Sequence, residues 1–176
     1  MRSRLTSALA AIAVTVSGVV STSARAEPAK PCLHAQEIKG FVGYVLPDIV
    51  GIVVTRCGPA LRADGYINTR GSLLAQRLAV GKEAAWPMAR QAFGKLGGEF
   101  KGQARAGLSD RTIRSLIDNE MVTKLAADLP LAMCGDIEAI AAPLDPLPAA
   151  NTVEFLSAIF GVAGRKGSDM RACAAS

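Results

Sequence analysis

Four cysteines are the residues of this chain with the most definite chemistry, because thiols either form disulfides or bind metals. No two of them lie in a C-x-x-C pair, the close spacing that zinc sites favour, so we expect no metal site. In a chain that carries an export signal (described below), an even number of cysteines indicates two disulfides, with three possible pairings. We favour Cys32–Cys57 with Cys134–Cys173, because each bridge then closes a short local loop.

Side chains that could act in catalysis are sparse. His34 is the one histidine, so a Ser-His-Asp or Cys-His arrangement would have to use it. Two pairs of acidic residues could act as general acid and general base: Asp118 with Glu120, and Asp136 with Glu138. The members of each pair are two positions apart, and residues at that spacing on a helix do not share a face. We therefore expect a non-enzymatic protein without a cofactor, and keep a carboxylate-based hydrolase as the lesser alternative.

A glycine-rich, basic stretch between residues 94 and 107 could contact an anion. It lacks the Ser/Thr and the preceding strand of a phosphate loop. Backbone amides could still form a looser anion-binding nest. The residues that we expect to contact an anion or a partner are Lys95, Lys101 and Arg105. A plain hinge or surface turn is the alternative.

Six aromatic side chains could line a cavity for an apolar or lipid-like ligand, because helical domains tied by disulfides can enclose one. The alternative is that they form an ordinary packed core. These residues are Phe41, Tyr44, Trp86, Phe93, Phe155 and Phe160.

Charge is distributed unevenly along the chain. Residues 56–114 contain eleven Lys/Arg and four Asp/Glu, whereas residues 115–164 contain one lysine and seven acidic residues. Either these two parts pack together and neutralise each other, or the first presents a basic face to an anionic partner. Nucleic acid is not an expected partner, because the chain is expected to leave the cytosol and to keep little net charge once its first residues are removed.

The first 26 residues have the organisation of a secretory signal peptide. Arg2 and Arg4 form a basic start, residues 5–20 are uncharged and apolar, and residues 24–26 form an A-x-A cleavage site. We therefore expect cleavage after Ala26 and a mature domain of residues 27–176, periplasmic or secreted. We expect no membrane anchor after cleavage, because Pro47 and Asp48 interrupt the most apolar later stretch.

The elements that must position these residues are all helical, since apolar residues recur every three or four positions and no hairpin signal occurs. We expect one irregular bundle of about six or seven helices, with segments at 33–46, 48–56, 73–80, 83–96, 110–129, 131–142 and 151–162. Ser109 and Asn151 are the expected N-caps of two of them. Pro47 is expected to end or bend the first segment, and only such a bend brings Cys32 to Cys57.

These observations favour a small exported protein that binds another envelope or secreted protein, or another envelope component. The alternatives are a carrier of an apolar ligand and, less favoured, a hydrolase. A carrier requires an apolar cavity, an interaction module requires an exposed apolar patch, and a hydrolase requires a cleft where two carboxylates converge. The sequence does not determine the oligomeric state.

Overall fold

A computed structural model describes residues 32–96, 108–166 and 171–174. These ranges form six helices and no strand, which confirms the predicted all-α class. The helices are α1 (Ala35–Cys57), α2 (Tyr66–Ala79), α3 (Lys82–Leu96), α4 (Asp110–Ser115, continued by a π-helical stretch Leu116–Met121 and by Val122–Asp128), α5 (Cys134–Leu144) and α6 (Ala149–Arg165). The described residues cluster into one compact unit.

Helix α1 runs without interruption through Pro47, so the prediction that this proline ends or bends the helix was wrong. A proline inside a helix costs about 3 kcal/mol, because it removes one backbone hydrogen bond and crowds the preceding turn. Burial of one large apolar side chain gains about 1.5–3 kcal/mol. Apolar side chains on both sides of Pro47 are buried, including Val45 and Val53. Tertiary packing therefore outweighs the local preference.

The straight helix explains why the favoured disulfide pairing was also wrong. The 23 residues of α1 span about 34 Å at 1.5 Å per residue, which places Cys32 and Cys57 at opposite ends. The structure instead joins Cys32 to Cys173 and Cys57 to Cys134. The outer bridge holds the two ends of the described chain together beside a backbone contact between Leu33 and Ala172. The inner bridge fastens the end of α1 to the start of α5.

Two apolar clusters form the core. The larger one joins α1, α3 and α4 through Ile38, Tyr44, Trp86 and Ile117, all of them buried. The smaller one surrounds the inner disulfide, where Ile67 of α2 packs against Cys57 and Cys134. Helix α1 contributes to both clusters and is therefore the central helix of the fold.

By length and composition, α1 together with the short turn after it (Ala35–Ala60) is apolar enough to cross a membrane. Half of the apolar window is buried inside the fold, which is also what the core helix of a water-soluble protein shows. The apolar stretch is thus longer than the sequence pattern indicated, because Pro47 and Asp48 do not break the helix.

Several helix boundaries also differ from the predictions. Helix α2 begins at Tyr66, within a stretch that we expected to be a loop. Helix α6 begins at Ala149 after Pro148, so Asn151 lies inside the helix and is not its cap. The N-cap predicted at Ser109 is confirmed, since its hydroxyl accepts a hydrogen bond from the backbone N–H of Thr112 at 3.2 Å.

Candidate ligand-binding groove

An open groove of about 720 Å³ lies where α1, α3, α6 and the end of α2 meet. Its walls are mostly small or aliphatic, and its volume falls within the range of ligand pockets, about 300–1,000 Å³. The lining residues are Gln36, Lys39, Gly40, Gly43, Arg77, Leu78, Val80, Gly81, Ala84, Ala85, Met88, Ala149, Ala150 and Val153.

The groove exists because small residues recur on the facing sides of α1 and α3. Gly40 and Gly43 lie three apart on α1, and Gly81, Ala84 and Ala85 lie three and four apart at the turn into α3 and in its first turn. A Cβ atom added to Gly40 would come within 2.2 Å of Met88 Cβ. A Cβ atom added to Gly43 would lie 3.2 Å from Ala85 Cβ and 3.5 Å from Val153 Cγ1. Gly43 therefore marks the point where three helices converge at the groove.

Asp145, just before α6, fixes the α6 wall of the groove to α2. Its carboxylate accepts hydrogen bonds from Tyr66 Oη at 3.0 Å, from Arg70 Nε at 2.8 Å and from Arg77 Nη2 at 2.5 Å. Arg77 Nη1 also donates to the Asp145 carbonyl at 2.9 Å. We call these four residues the Asp145 clamp. Asp145 lies in the short turn between α5 and α6, four residues before Ala149, which lines the groove. The clamp therefore joins the start of α6 to α2.

The pKa values in the clamp follow from these contacts. Partial burial raises the pKa of Asp145, but the hydrogen bonds from Tyr66 and Arg70 and the charges of both arginines outweigh it, so the pKa lies below its usual value of 3.8. Burial of Tyr66 and its bond to Asp145 raise the pKa of the phenol to about 12. The clamp therefore consists of a neutral tyrosine, two cations and an anion at neutral pH.

The clamp also bears on the uneven charge distribution along the chain. Arg70 and Arg77 belong to the basic part of the sequence, and Asp145 belongs to the acidic part. A further pair of the same kind joins Lys82 to Asp118 at 3.5 Å. These pairs support the interpretation that the two parts pack together and neutralise each other.

A second polar cluster lies where α1, α3 and the π-helical stretch of α4 meet. Lys82 Nζ pairs with Asp48 at 2.6 Å and stands 4.7 Å from the centre of the Tyr44 ring. Tyr44 Oη donates to Asp118 Oδ2 at 3.3 Å. Burial lowers the pKa of Lys82, but the hydrogen bond to Asp48 and the two carboxylate charges outweigh it and leave the pKa above its usual value. Lys82 thus remains charged and pairs with both carboxylates.

The four carboxylates predicted as acid–base pairs do not meet in a cleft. Asp118 faces Lys82 and Tyr44, whereas Glu120 is exposed. Asp136 is exposed, whereas Glu138 accepts a hydrogen bond from the backbone N–H of Ile67 at 3.0 Å and so caps α2 from α5. The described carboxylates therefore offer no support for a hydrolase. No group of three or more metal-ligating side chains occurs within the described ranges.

Of the three residues expected to contact an anion, only Lys95 lies within the described part of the chain. Its ammonium pairs with the buried carboxylate of Glu37 at 2.7 Å. Burial raises the pKa of Glu37, but the bonds from Lys95 and from the His34 backbone outweigh it and hold the pKa below its usual value of 4.5. Lys101 and Arg105 lie outside the described residues.

The six aromatic residues do not gather around the groove, and none of them lines it. Four of them are buried in the larger core cluster, which agrees with the packed-core alternative: Phe41, Tyr44, Trp86 and Phe93. The other two, Phe155 and Phe160, are exposed on α6. The sequence reasoning missed the groove because it looked for large lining residues, whereas glycines and alanines at helical spacing form the walls.

Comparisons with protein-family models, with curated proteins and with solved structures gave no match to this chain. The candidate function therefore depends on the geometry described above.

Proposed function

We propose that this protein is an exported, non-enzymatic binding protein that holds the apolar part of an envelope component in the groove between α1, α3 and α6. The observation that carries the proposal is an open, mostly aliphatic groove of about 720 Å³. Apolar surface gains about 25 cal/mol per Å² when it leaves water, so an acyl or similar chain laid along these walls is stabilised. Small side chains leave the room that such a chain needs.

Export is supported by the disulfides and by the pattern of the first residues. The described cysteines are all paired, as expected of proteins that mature in an oxidising compartment. The signal-peptide pattern of residues 1–26 lies outside the described residues. N-terminal sequencing of material from the native host should find Glu27 at the start, in a periplasmic or secreted fraction. An intact Met1 in the cytosol would contradict export.

Binding is tested with the mature protein and a neutral apolar fluorophore, N-phenyl-1-naphthylamine. We expect saturable binding at one site. Ala84→Phe should weaken it at least tenfold, because Ala84 is an exposed lining residue and a phenyl ring there fills the groove without entering the core. Ala139→Phe is the matched control, since Ala139 is an exposed helical alanine outside the groove.

The two variants make the outcome decisive. If Ala84→Phe folds and still binds the fluorophore as tightly as the unmodified protein, the groove is not the binding site. If Ala139→Phe weakens binding equally, the effect is not specific to the groove, and the proposal fails in the same way. Circular dichroism of both variants verifies folding.

A second candidate function, docking on another exported protein, is favoured by the outer face of α6. Phe155, Ile159 and Val162 follow one another at i, i+4 and i+7, and each is nearly half exposed. Glu154 stands at one end of this stripe and exposed Lys166 at the other. The partner that fits is an antiparallel helix with an apolar stripe and opposite charges at its two ends.

Ile159→Lys tests this second function, with Ile140→Lys as the matched control at another exposed isoleucine. The readout is the size of the native complex in envelope extracts of the host. We expect Ile159→Lys to release the protein from the complex and Ile140→Lys to leave the complex intact. Equal behaviour of the two variants would remove α6 as the docking face.

A further inference from the structure

We propose that the groove selects amphiphiles with an anionic head group, a carboxylate or a phosphate, and that Lys39 is the residue that recognises it. This inference rests on the proposed function and adds a ligand class to it. Among the described lining residues, the two ionisable side chains, Lys39 and Arg77, are both basic, and none is acidic.

Lys39 is available to an incoming anion. Its ammonium pairs with Glu154, and the side chains of both residues are about half exposed, at 45% and 64%. An ion pair at that exposure contributes little, typically about 0–1 kcal/mol, because water screens it. A ligand anion buried in part against the groove wall competes well with such a partner, since charge-assisted hydrogen bonds strengthen as water is excluded.

Arg77 adds a fixed positive field, because it is held in place by other residues. Its two terminal nitrogens both bond to Asp145, one to the carboxylate and one to the carbonyl. Its Nε–H has no hydrogen-bond partner within the described part of the chain. This nitrogen is buried, so Arg77 contributes its charge to the groove wall and not a free hydrogen-bond donor.

The polar lining and the apolar lining suit the two parts of one amphiphile. Gln36 is exposed and Lys39 is half-buried, whereas Gly40 and Gly43 on the same face of α1 are buried. A head group at the exposed end therefore places its chain against the glycines and the alanines of α3. A single aliphatic chain suits a wall of small residues.

The test compares dodecanoate, dodecyl phosphate and dodecanol, which share one chain and differ in the head group. Calorimetric titration of the mature protein should show at least one of the two anions binding about fivefold to tenfold more tightly than the neutral alcohol. Added salt should reduce that preference. The two anions separate a carboxylate source from a phosphate source.

Two variants test the role of Lys39. Lys39→Gln should reduce the affinity for the preferred anion about fivefold more than the affinity for dodecanol. Glu154→Gln should leave the affinity for the anion equal or raise it, because it frees the ammonium. If Lys39 acted only through its pair with Glu154, both variants would weaken binding equally, and that result would overturn the proposed role.

The failure of this inference is distinguishable from the failure of the proposed function. Equal binding of dodecanol and both anions would overturn the head-group preference while leaving the groove as an apolar site. Absence of binding by all three amphiphiles and by the neutral fluorophore would overturn both. Lys124→Gln, at an exposed lysine of α4 outside the groove, serves as the control for a general loss of positive charge.

Discussion

Removal of the inner disulfide by Cys57→Ala with Cys134→Ala should lower the free energy of unfolding by about 4 kcal/mol. The two sulfurs are separated by 77 positions along the chain, but the outer bridge offers a shorter path between them. That path runs from Cys57 back to Cys32, across the outer bridge and back from Cys173 to Cys134. It contains about 64 residues, for which the chain-entropy relation gives about 4 kcal/mol at 25 °C.

The same reasoning predicts the effect of removing the outer bridge. The shortest remaining path between Cys32 and Cys173 passes through the inner bridge and includes the same two segments. Chain entropy alone therefore predicts equal losses for the two double variants. Cys57 and Cys134 are also buried in the smaller core cluster, so their replacement removes packing as well. The inner variant should accordingly be the less stable of the two.

Urea unfolding of the mature protein, followed by circular dichroism, measures both losses. A loss of about 4 kcal/mol corresponds to a melting temperature lower by about 10 °C for a domain of this size. Non-reducing peptide mapping must first show the Cys57–Cys134 linkage in the unmodified protein. A loss below about 1 kcal/mol for the inner variant, or a larger loss for the outer one, would refute this account of the disulfides.

Three further predictions concern local contacts. Gly40→Ala should lower the free energy of unfolding by about 1–3 kcal/mol, because the added Cβ would lie 2.2 Å from Met88 Cβ. Gly51→Ala is the control: its Cβ would have no neighbour within 4 Å, so the same urea titration should find it neutral or stabilising. Glu138→Ala should lower the free energy of unfolding by about 1 kcal/mol, because it removes the cap of α2, whereas Asp136→Ala should not. Thermal unfolding compares the two variants, and equal melting temperatures would contradict the capping role of Glu138. Because folding lowers the pKa values of Asp145 and Glu37, stability should be constant between about pH 6 and pH 8 and should fall as the pH drops below 4.5 and then 3.8. Urea titrations at pH 3 and pH 6 test this, and equal midpoints would contradict it.

The fold class was predictable from the sequence because it depends on features that are repeated many times. Apolar residues recur at helical spacing along the whole chain, so one unusual position does not change the class. Ser109 was also predictable as a cap, since its acceptor and the Thr112 donor lie three residues apart. Evidence of this kind is local, and local evidence is what a single sequence carries.

The features that the sequence did not predict depend on distant contacts. The sequence predicted that Pro47 ends or bends α1, whereas the helix runs on without interruption. The packing that stabilises the straight helix comes from other helices, which the local sequence does not show. The first turn of α2 is capped by Glu138, which lies 71 positions along the chain from its donor, Ile67. The disulfide pairing followed from the first of these errors, since a straight α1 separates Cys32 from Cys57.

The groove was missed for a different reason. Its signal is present in the sequence as glycines at 40, 43 and 81 with alanines at 84 and 85, all at helical spacing. That pattern indicates either two helices in close contact or an open groove, and here the same residues form both. Gly40 brings α1 against α3, while Gly43 lines the open space next to that contact. Only the position of α6 distinguishes a groove from a closed interface.

The way in which α6 is attached bears on how the groove could work. The helices α1, α3 and α4 are joined by the larger core cluster, to which α6 adds only the partly buried Val153 and Leu156. Four further residues of α6 are buried, namely Thr152, Ser157, Gly161 and Gly164, and two polar contacts are added to this packing: the Asp145 clamp and the pair between Lys39 and Glu154. Polar contacts near the surface contribute little to the free energy of unfolding but define geometry well. The Asp145 clamp and the Lys39–Glu154 pair therefore define the shape of the groove wall more than they add to the stability of the fold.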